Sequence, residues 1–565
     1  MSCPVFPTPP STIPDTPVTE IETALDKLTQ NKDRWVKLGI SERIKLLEAL
    51  KVGVLAQAEG WAQSVATAVG IDPKSNGAGE AWLGGPVTTI RNAHLLLETL
   101  KKEGQPQPVA WRQKQNGQDA ALVFPQSAMD KALFAGFEAE IWLQPNQEKT
   151  QGRIYREKQN HGKICLVLGA GNVSSIGPMD VLHKLFAENE VCVLKMNPVN
   201  DYVGPFLEKA FQPLIDEGFL AIIYGGNDIG KFLTHHKSVE TIHITGSDKT
   251  HDAIIWGSND EEQQANKNAG TPQLQKEISS ELGCVTPVIV VPGPWTNKEL
   301  KFQARHIASM IAHNGSFNCN AAKALVLPKE WDKLEEFKRV LKETLKDMPP
   351  RKAYYPGAQQ RYDGFLKQYQ NVETLGERTE EIIPWTIIPN VKAEKGEYAL
   401  TTEAFCGVVA QVEIEGDDAT NFLGNAVRFA NDDIWGSLSC MMLIHPKTQK
   451  QHRAAFEKAV ADLKYGGIGI NVWAGLIYGL VVTSWGAFPG NPLDNIESGR
   501  GAVHNSYLFD HPEKSVIYAP FMQNPTPLWF SDNRNLLKTS KALLNLEAAP
   551  SWLKVPSVAL NAMKG

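Results

Sequence analysis

One cysteine of this chain stands in a setting suited to covalent chemistry. Cys319 lies in "AHNGSFNCNAAKALVLP" (312–328), a small, polar, turn-prone stretch just ahead of an apolar run. A thiolate is a strong nucleophile and leaves readily from a thioester, so such a position suits covalent nucleophilic catalysis. Glu281 lies in "ISSELGCVTPVIVV" (278–291), followed by a glycine and then a strand-like run. A carboxylate there can serve as a general base if burial raises its pKa. "HITGSDKTHDAIIWG" (243–257) sets Gly246 and Ser247 between a strand-like run and a helix. Backbone N–H groups at a helix start can approach a phosphate. Taken singly, each motif also has a structural reading: a buried apolar thiol, a solvated carboxylate, an ordinary helix start.

A fourth stretch, "GKICLVLGAGNVSSIG" (162–177), looks like a strand entering a glycine-rich turn. A dinucleotide fingerprint needs G-x-G-x-x-G and an acidic residue at the end of the next strand. Here the third glycine is Ser174, and the next strand, "EVCVLK", ends in Lys195. The ordinary fingerprint is therefore incomplete, and the residue of interest becomes Asn172, just after the glycines.

These residues need a scaffold to bring them together. The chain has 565 residues, enough for two to four domains, with 42% hydrophobic and 21% charged residues. The net charge of −6 excludes a dedicated nucleic-acid binder. The start lacks the basic and apolar regions of a signal peptide, and no apolar run approaches the ~18 residues of a membrane span. Cysteines 3, 165, 192, 284, 319, 406 and 440 form no CxxC pair, so free thiols in a reducing cytoplasm are expected. His235 and His236 are adjacent, no acidic residue stands at ligand spacing with them or with His243, and no metal site is expected.

Residues 4–17 hold six prolines and read as an extended arm. Residues 41–104 read as mostly helical, with Ser41 as N-cap and Ile44, Leu47, Leu50 and Val54 on one face. From about 160, β-branched runs alternate with helical segments, which predicts a parallel sheet with crossover helices. A second alternating block runs from about Thr286 to Trp473, and the polar stretch 257–273 reads as a surface insertion. Trp473, Trp485 and Phe317 hint at an aromatic-lined entrance.

In this order the motifs resemble the aldehyde dehydrogenase superfamily, from about residue 20 to about 520. The resemblance is carried by Asn172, Lys195, Gly246-Ser247, Glu281-Leu282-Gly283, Asn314 with Cys319, Glu403-Ala404-Phe405, Asn431 with Gly436, and the Ser-Gly-x-Gly within "ESGRG" (497–501). The chain departs from the family pattern at Ser316-Phe317 (usually Gly-Gln), Cys284-Val285, and Cys406-Gly407. It looks like a divergent member.

The resemblance implies an α/β fold with a nucleotide-binding domain (1–136 and 160–280) and a catalytic domain (281–474), each on a mostly parallel sheet. It further implies oligomerisation elements at 137–159 and 511–520, the first a small hairpin, and leaves 521–565 as an extension. It implies a homodimer or homotetramer that oxidises a small-molecule aldehyde to the acid. Cys319 is then the nucleophile, Asn172 with the Cys319 N–H the oxyanion donors, and Glu281 the base that activates water. NAD or NADP would contact Lys195, Gly246, Ser247, Glu403 and Phe405. Pro198 stands where NAD-preferring members often carry a glutamate, so a 2′-phosphate meets no repulsion there. The alternatives are a CoA-acylating relative and a catalytically silent scaffold of the same fold.

Overall fold

A computed structural model describes residues 12–565. Cys3 and most of the proline-rich arm lie outside the described residues. Two large sheets organise the described residues, beside a two-stranded one made of Trp485–Gly486 and Ala502–Val503.

The first has six strands in the order Gly499–Arg500, Glu277–Leu282, Thr241–Gly246, Ile164–Leu168, Val191–Lys195, Leu220–Ile223. All neighbours are parallel except the short Gly499–Arg500 strand, which runs antiparallel to Glu277–Leu282. The last four are the runs read from the sequence, and the near-continuous apolar character of Ile164–Leu168 and Val191–Lys195 follows from cover on both faces. Helix Ile176–Phe186 lies on one face, with all eleven of its residues buried. The expected boundary at 280/281 falls inside the strand Glu277–Leu282. Glu281 is therefore carried by the six-stranded sheet, paired with Thr245 on one side and Gly499 on the other.

The second sheet has eleven strands. Its parallel centre runs Pro512–Tyr518, Gly467–Ile470, Ser439–Leu443, Pro287–Val290, Ala324–Pro328, Val408–Ile414, Trp385–Val391. Antiparallel strands Glu138–Leu143, Asp119–Phe124 and Ala110–Gln113 extend one edge beyond Pro512–Tyr518. The segment 138–162 was expected to be a hairpin, yet only Glu138–Leu143 is a strand. Its antiparallel partners are Asp119–Phe124 and Pro512–Tyr518 of the same chain. The reason is local: Gln144-Pro145-Asn146 turns the chain, with Asn146 left-handed at φ 61°.

The helix expected from Ser41 spans Ile40–Ala68, and Gly39, not Ser41, holds the cap position. Leu47, Leu50 and Val54 are fully buried as their spacing predicts. The insertion 257–273 forms a helix, Asp260–Ala269, with no buried residue; Asn259 caps its start and Gly270 ends it in the left-handed region. The extension beyond 520 forms helices Leu536–Ala548 and Val555–Ala562. It packs on the chain's own helices, with Glu547 ion-paired to Arg91 at 2.6 Å. Among the described residues no helix is long and apolar enough to cross a membrane.

Candidate active site

Helix Asn297–Ala312 ends in a tight turn that leads to Cys319. Asn314, Gly315 and Ser316 are left-handed in succession, at φ 53°, 64° and 70°. Asparagine and glycine tolerate this region, whereas a serine there costs roughly 1–2 kcal/mol. Ser316 is the position at which the family pattern has glycine, so the departure falls where the backbone favours glycine. Neighbours hold the turn in place. Asn314 Nδ2 lies 3.1 Å from the Asn172 carbonyl and 3.1 Å from Asn318 Oδ1. The Tyr354 hydroxyl donates to the Asn172 carbonyl at 3.1 Å and to Asn314 Oδ1 at 3.0 Å.

The glycine-rich turn 169–172 approaches from the other sheet. Its crowding comes from protein. A Cβ at Gly171 would stand 2.6 Å from Val199 Cβ and 2.8 Å from Asn197 Oδ1. Asn197 and Asn200 donate to the carbonyls of Gly169 and Ala170 at 3.2 and 3.0 Å. With the turn fixed in this way, Asn172 Nδ2 donates to the Phe317 carbonyl at 2.9 Å, two residues before Cys319.

Glu281 arrives from the end of its strand, and the Cys319 thiol donates to its Oε1 at 3.4 Å. The Ser-Gly-x-Gly motif holds this strand. Ser498 Oγ donates to the Gly283 carbonyl at 2.7 Å, and the Leu282 N–H donates to the Ser498 carbonyl at 2.8 Å. A Cβ at Gly499, which has φ 111°, would stand 2.2 Å from the Ser280 carbonyl oxygen. The motif is thus a close backbone support for Glu281.

Burial raises the Glu281 carboxyl to about 8, and the nearby Asp180 carboxylate adds to the rise. Burial also raises Asp180, but His243 and His504 beside it outweigh that and hold it well below the usual carboxylate range. Thr245 Oγ1 donates to Asp180 at 3.0 Å. Burial and the neighbouring Glu281 together push the Cys319 thiol well above its usual value. At neutral pH the pair is therefore a thiol beside a carboxylic acid, and it becomes a nucleophile–base pair as pH rises through about 8.

The remaining residues named by the resemblance lie around this centre. Lys195 closes its strand with its amine nearly buried, and burial lowers its pKa to about 8. Among the described residues no hydrogen bond or close ion pair reaches its amine, and the Asp15 and Asp201 carboxylates attract it from farther away. Gly246 is exposed, and Ser247 caps helix Asp248–Ile255 by accepting from the Thr250 N–H at 3.1 Å. A buried lysine and an open helix start fit the ribose and phosphates of a dinucleotide. The nicotinamide-side pair is engaged elsewhere. Glu403 is 1% exposed and ion-paired to Lys323 at 3.0 Å. Phe405 packs against Tyr355 and Phe317, with ring centres 5.0 and 5.9 Å away.

Trp473, Trp485 and Phe317 are all buried, so none of them lines an open entrance. Trp473 Nε1 donates to the Asn320 carbonyl at 2.9 Å, supporting the residue after the nucleophile. The three histidines are apart in role: His236 pairs with Glu22 at 3.1 Å and His243 lies beside Asp180 at 3.6 Å, while His235 ends a helix. Sequence reasoning missed Lys323, Tyr354, Thr286 and Asp180. A lysine opening a buried apolar strand, as in "AAKALVLP", was the one available signal.

A buried ion pair steadies the turn from outside. Both Arg351 guanidinium arms reach Glu80 at 2.9 Å, and the Asn314 N–H donates to the same carboxylate at 3.3 Å. Burial alone would raise the Glu80 pKa, but Arg351 outweighs it and holds the group at about 2. Because the folded value lies below the unfolded one, this stabilisation is full above the unfolded value near 4.5 and is lost as pH falls toward about 2. Glu80→Ala leaves Arg351 buried without its carboxylate and should cost about 3–5 kcal/mol in urea unfolding at pH 7. A loss below 1 kcal/mol would show the pair to be dispensable.

Residues 157–360 match the family described as aldehyde dehydrogenase family. A comparison with curated proteins gave no match. Solved structures share the fold at low identity. A salicylaldehyde dehydrogenase from Pseudomonas putida G7 superposes at TM-score 0.60 and 16% identity, over 91% of this chain and 93% of that one. The glyceraldehyde-3-phosphate dehydrogenase GapN from Methanocaldococcus jannaschii, complexed with NADP, gives 0.60 and 14%, over 92% and 99%. The P. syringae indole-3-acetaldehyde dehydrogenase AldA, in complex with NAD+, gives 0.60 and 15%, over 90% of each. Residues 157–360, which carry Asn172, Glu281 and Cys319, match the aldehyde dehydrogenase family, and the chain shares its fold with these solved structures across nine-tenths of its length.

Proposed function

We propose that the protein oxidises an aldehyde to its carboxylic acid with NAD or NADP, through a thioester on Cys319 that Glu281-activated water hydrolyses. The observation that carries this reading is the 3.4 Å contact between the Cys319 thiol and a carboxyl group raised to about 8.

Each step assigns work to a named group. Glu281 takes the thiol proton as pH approaches 8, and Cys319 Sγ adds to the aldehyde carbon. The oxygen that becomes negative needs donors, which the Cys319 N–H and the Asn172 amide supply. One such donor is worth about 3 kcal/mol in a transition state. A bound nicotinamide supplies the two-electron hydride acceptor that this oxidation requires. Lys195, Gly246 and Ser247 hold the adenosine side and phosphates of the dinucleotide. Glu281, having released the first proton to solvent, then removes a proton from water, whose oxygen attacks the thioester carbon, and Cys319 leaves as a thiolate that takes up the proton Glu281 holds.

A panel of aliphatic and aromatic aldehydes, assayed with NAD and NADP separately, tests the reading. The expected result is one equivalent of NAD(P)H and one of free acid for at least one aldehyde. Formation of a CoA thioester in place of acid when CoA is added would replace hydrolysis by CoA acylation. No turnover with any aldehyde would favour the silent scaffold.

A further inference from the structure

Lys323 is the buried cation closest in sequence to the nucleophile, and its three N–H donors are all used. Its Nζ lies 3.0 Å from the Asn318 carbonyl, 2.9 Å from the Cys319 carbonyl and 3.0 Å from Glu403 Oε1. An ammonium has three donors, so these three acceptors saturate it. Its side chain is 2% exposed and that of Glu403 is 1% exposed. Glu403 Oε1 also accepts from the Cys284 N–H at 3.4 Å, and the Cys319 carbonyl takes a second bond from Thr286 Oγ1 at 3.1 Å.

The peptide linking Asn318 to Cys319 is planar and trans, so its C=O and N–H point in opposite directions. Anchoring the Asn318 carbonyl on Lys323 therefore aims the Cys319 N–H away from the lysine. Among the described residues that N–H makes no hydrogen bond. A cation on the carbonyl end also polarises the peptide and strengthens its N–H as a donor. The same ammonium holds the following peptide through the Cys319 carbonyl. Both peptides flanking the nucleophile are thus set by one charged group, and that group is held by Glu403.

We propose that Lys323, anchored by Glu403, is the positioning residue that orients the Cys319 N–H as oxyanion donor, and that Glu403 serves this role in place of contacting the cofactor's ribose. A buried ion pair is seldom a net source of stability, so its retention beside the nucleophile accords with a geometric role. The inference rests on the assignment of Cys319 as nucleophile.

The test uses p-nitrophenyl acetate, which needs no dinucleotide. Cys319 Sγ forms a bond to the acetyl carbon, p-nitrophenolate leaves, and the thiol proton passes to Glu281 and then to water. Acetyl-Cys319 is identified by mass spectrometry of the digested protein, and dinucleotide affinity is read from protein fluorescence. Two variants are compared with the wild type: the near-isosteric Glu403→Gln, and the double variant K323M/E403M, which removes both buried charges together. Acetylation should slow about 10-fold in Glu403→Gln and about 100-fold in the double variant, with dinucleotide affinity within about twofold of wild type. Unchanged acetylation in Glu403→Gln and the double variant overturns the inference. So does weakening of dinucleotide affinity by about tenfold or more with acetylation intact, which returns Glu403 to the ribose. Absence of acetyl-Cys319 in the wild type overturns the nucleophile assignment itself and the inference with it.

Discussion

Cys319→Ala should lower NAD(P)H formation from an accepted aldehyde by a factor on the order of 10⁴ or more. In the proposed reaction the side chain lost is the one that bonds to the aldehyde carbon before hydride leaves. Cysteine to alanine removes one sulfur from a half-buried site and leaves the neighbouring contacts of Asn172, Asn314 and Lys323 in place. Lys195, Gly246 and Ser247, to which the proposal gives the dinucleotide, close two strands of the six-stranded sheet and cap the helix after one of them, so cofactor affinity should stay within about threefold. Stopped-flow absorbance gives the first measurement and fluorescence titration the second. Turnover within tenfold of wild type would remove Cys319 from the reaction, and lost cofactor affinity would point to a collapsed site.

Glu281→Gln should separate the two halves of the reaction. The amide keeps the shape but accepts no proton at any working pH. A missing general base costs about 10²–10⁴-fold in the step it serves. Near pH 8.5, where Cys319 can be reached by other proton acceptors, a burst of NAD(P)H close to one per site is expected. Steady turnover should then fall about 1000-fold, with acyl-Cys319 accumulating as a mass shift in the intact protein. In the wild type the base must be ionised, so turnover should rise as pH passes through about 8 and level off above it. That limb should be absent from Glu281→Gln. A variant that releases free acid at the wild-type rate, or a wild-type limb that stays near 4.5, would rule Glu281 out.

Most of the positioning framework was legible from the residues, for a physical reason. The runs Ile164–Leu168 and Val191–Lys195 are buried on both faces, so their apolar character shows without any partner in view. Cys319 and Glu281 stood out only through the order of the whole motif set, since singly each also read as a buried thiol or a solvated carboxylate. Long-range pairings were not legible. Lys323 and Glu403 are 80 positions apart, and neither residue announces the other. The three-way hold on the turn at Asn314, from Tyr354, Asn172 and Glu80, joins segments that no local pattern links. The expected hairpin at 138–162 shows the opposite failure. Past Leu143 the run "QPNQEKTQG" holds only Pro145 among polar residues and glycine, Pro145 and a left-handed Asn146 end the strand, and pairing goes to distant segments instead.

The strand Pro512–Tyr518 also has a consequence for how the chain is made. It fills the gap between Gly467–Ile470 and Glu138–Leu143, and it emerges about 370 residues after the latter. At about 5–20 residues per second, the ribosome leaves that gap open for roughly 20–70 s. Throughout this interval Glu138–Leu143, with five of its six residues destined for burial, offers an unpaired apolar edge to any other nascent chain. Its Glu140 carboxylate, later enclosed by Arg112 and Lys114, keeps a charge on that edge while it waits. Synthesis of this protein therefore passes through a period of exposure to chaperones and to mispairing, which closes only when the C-terminal strand arrives.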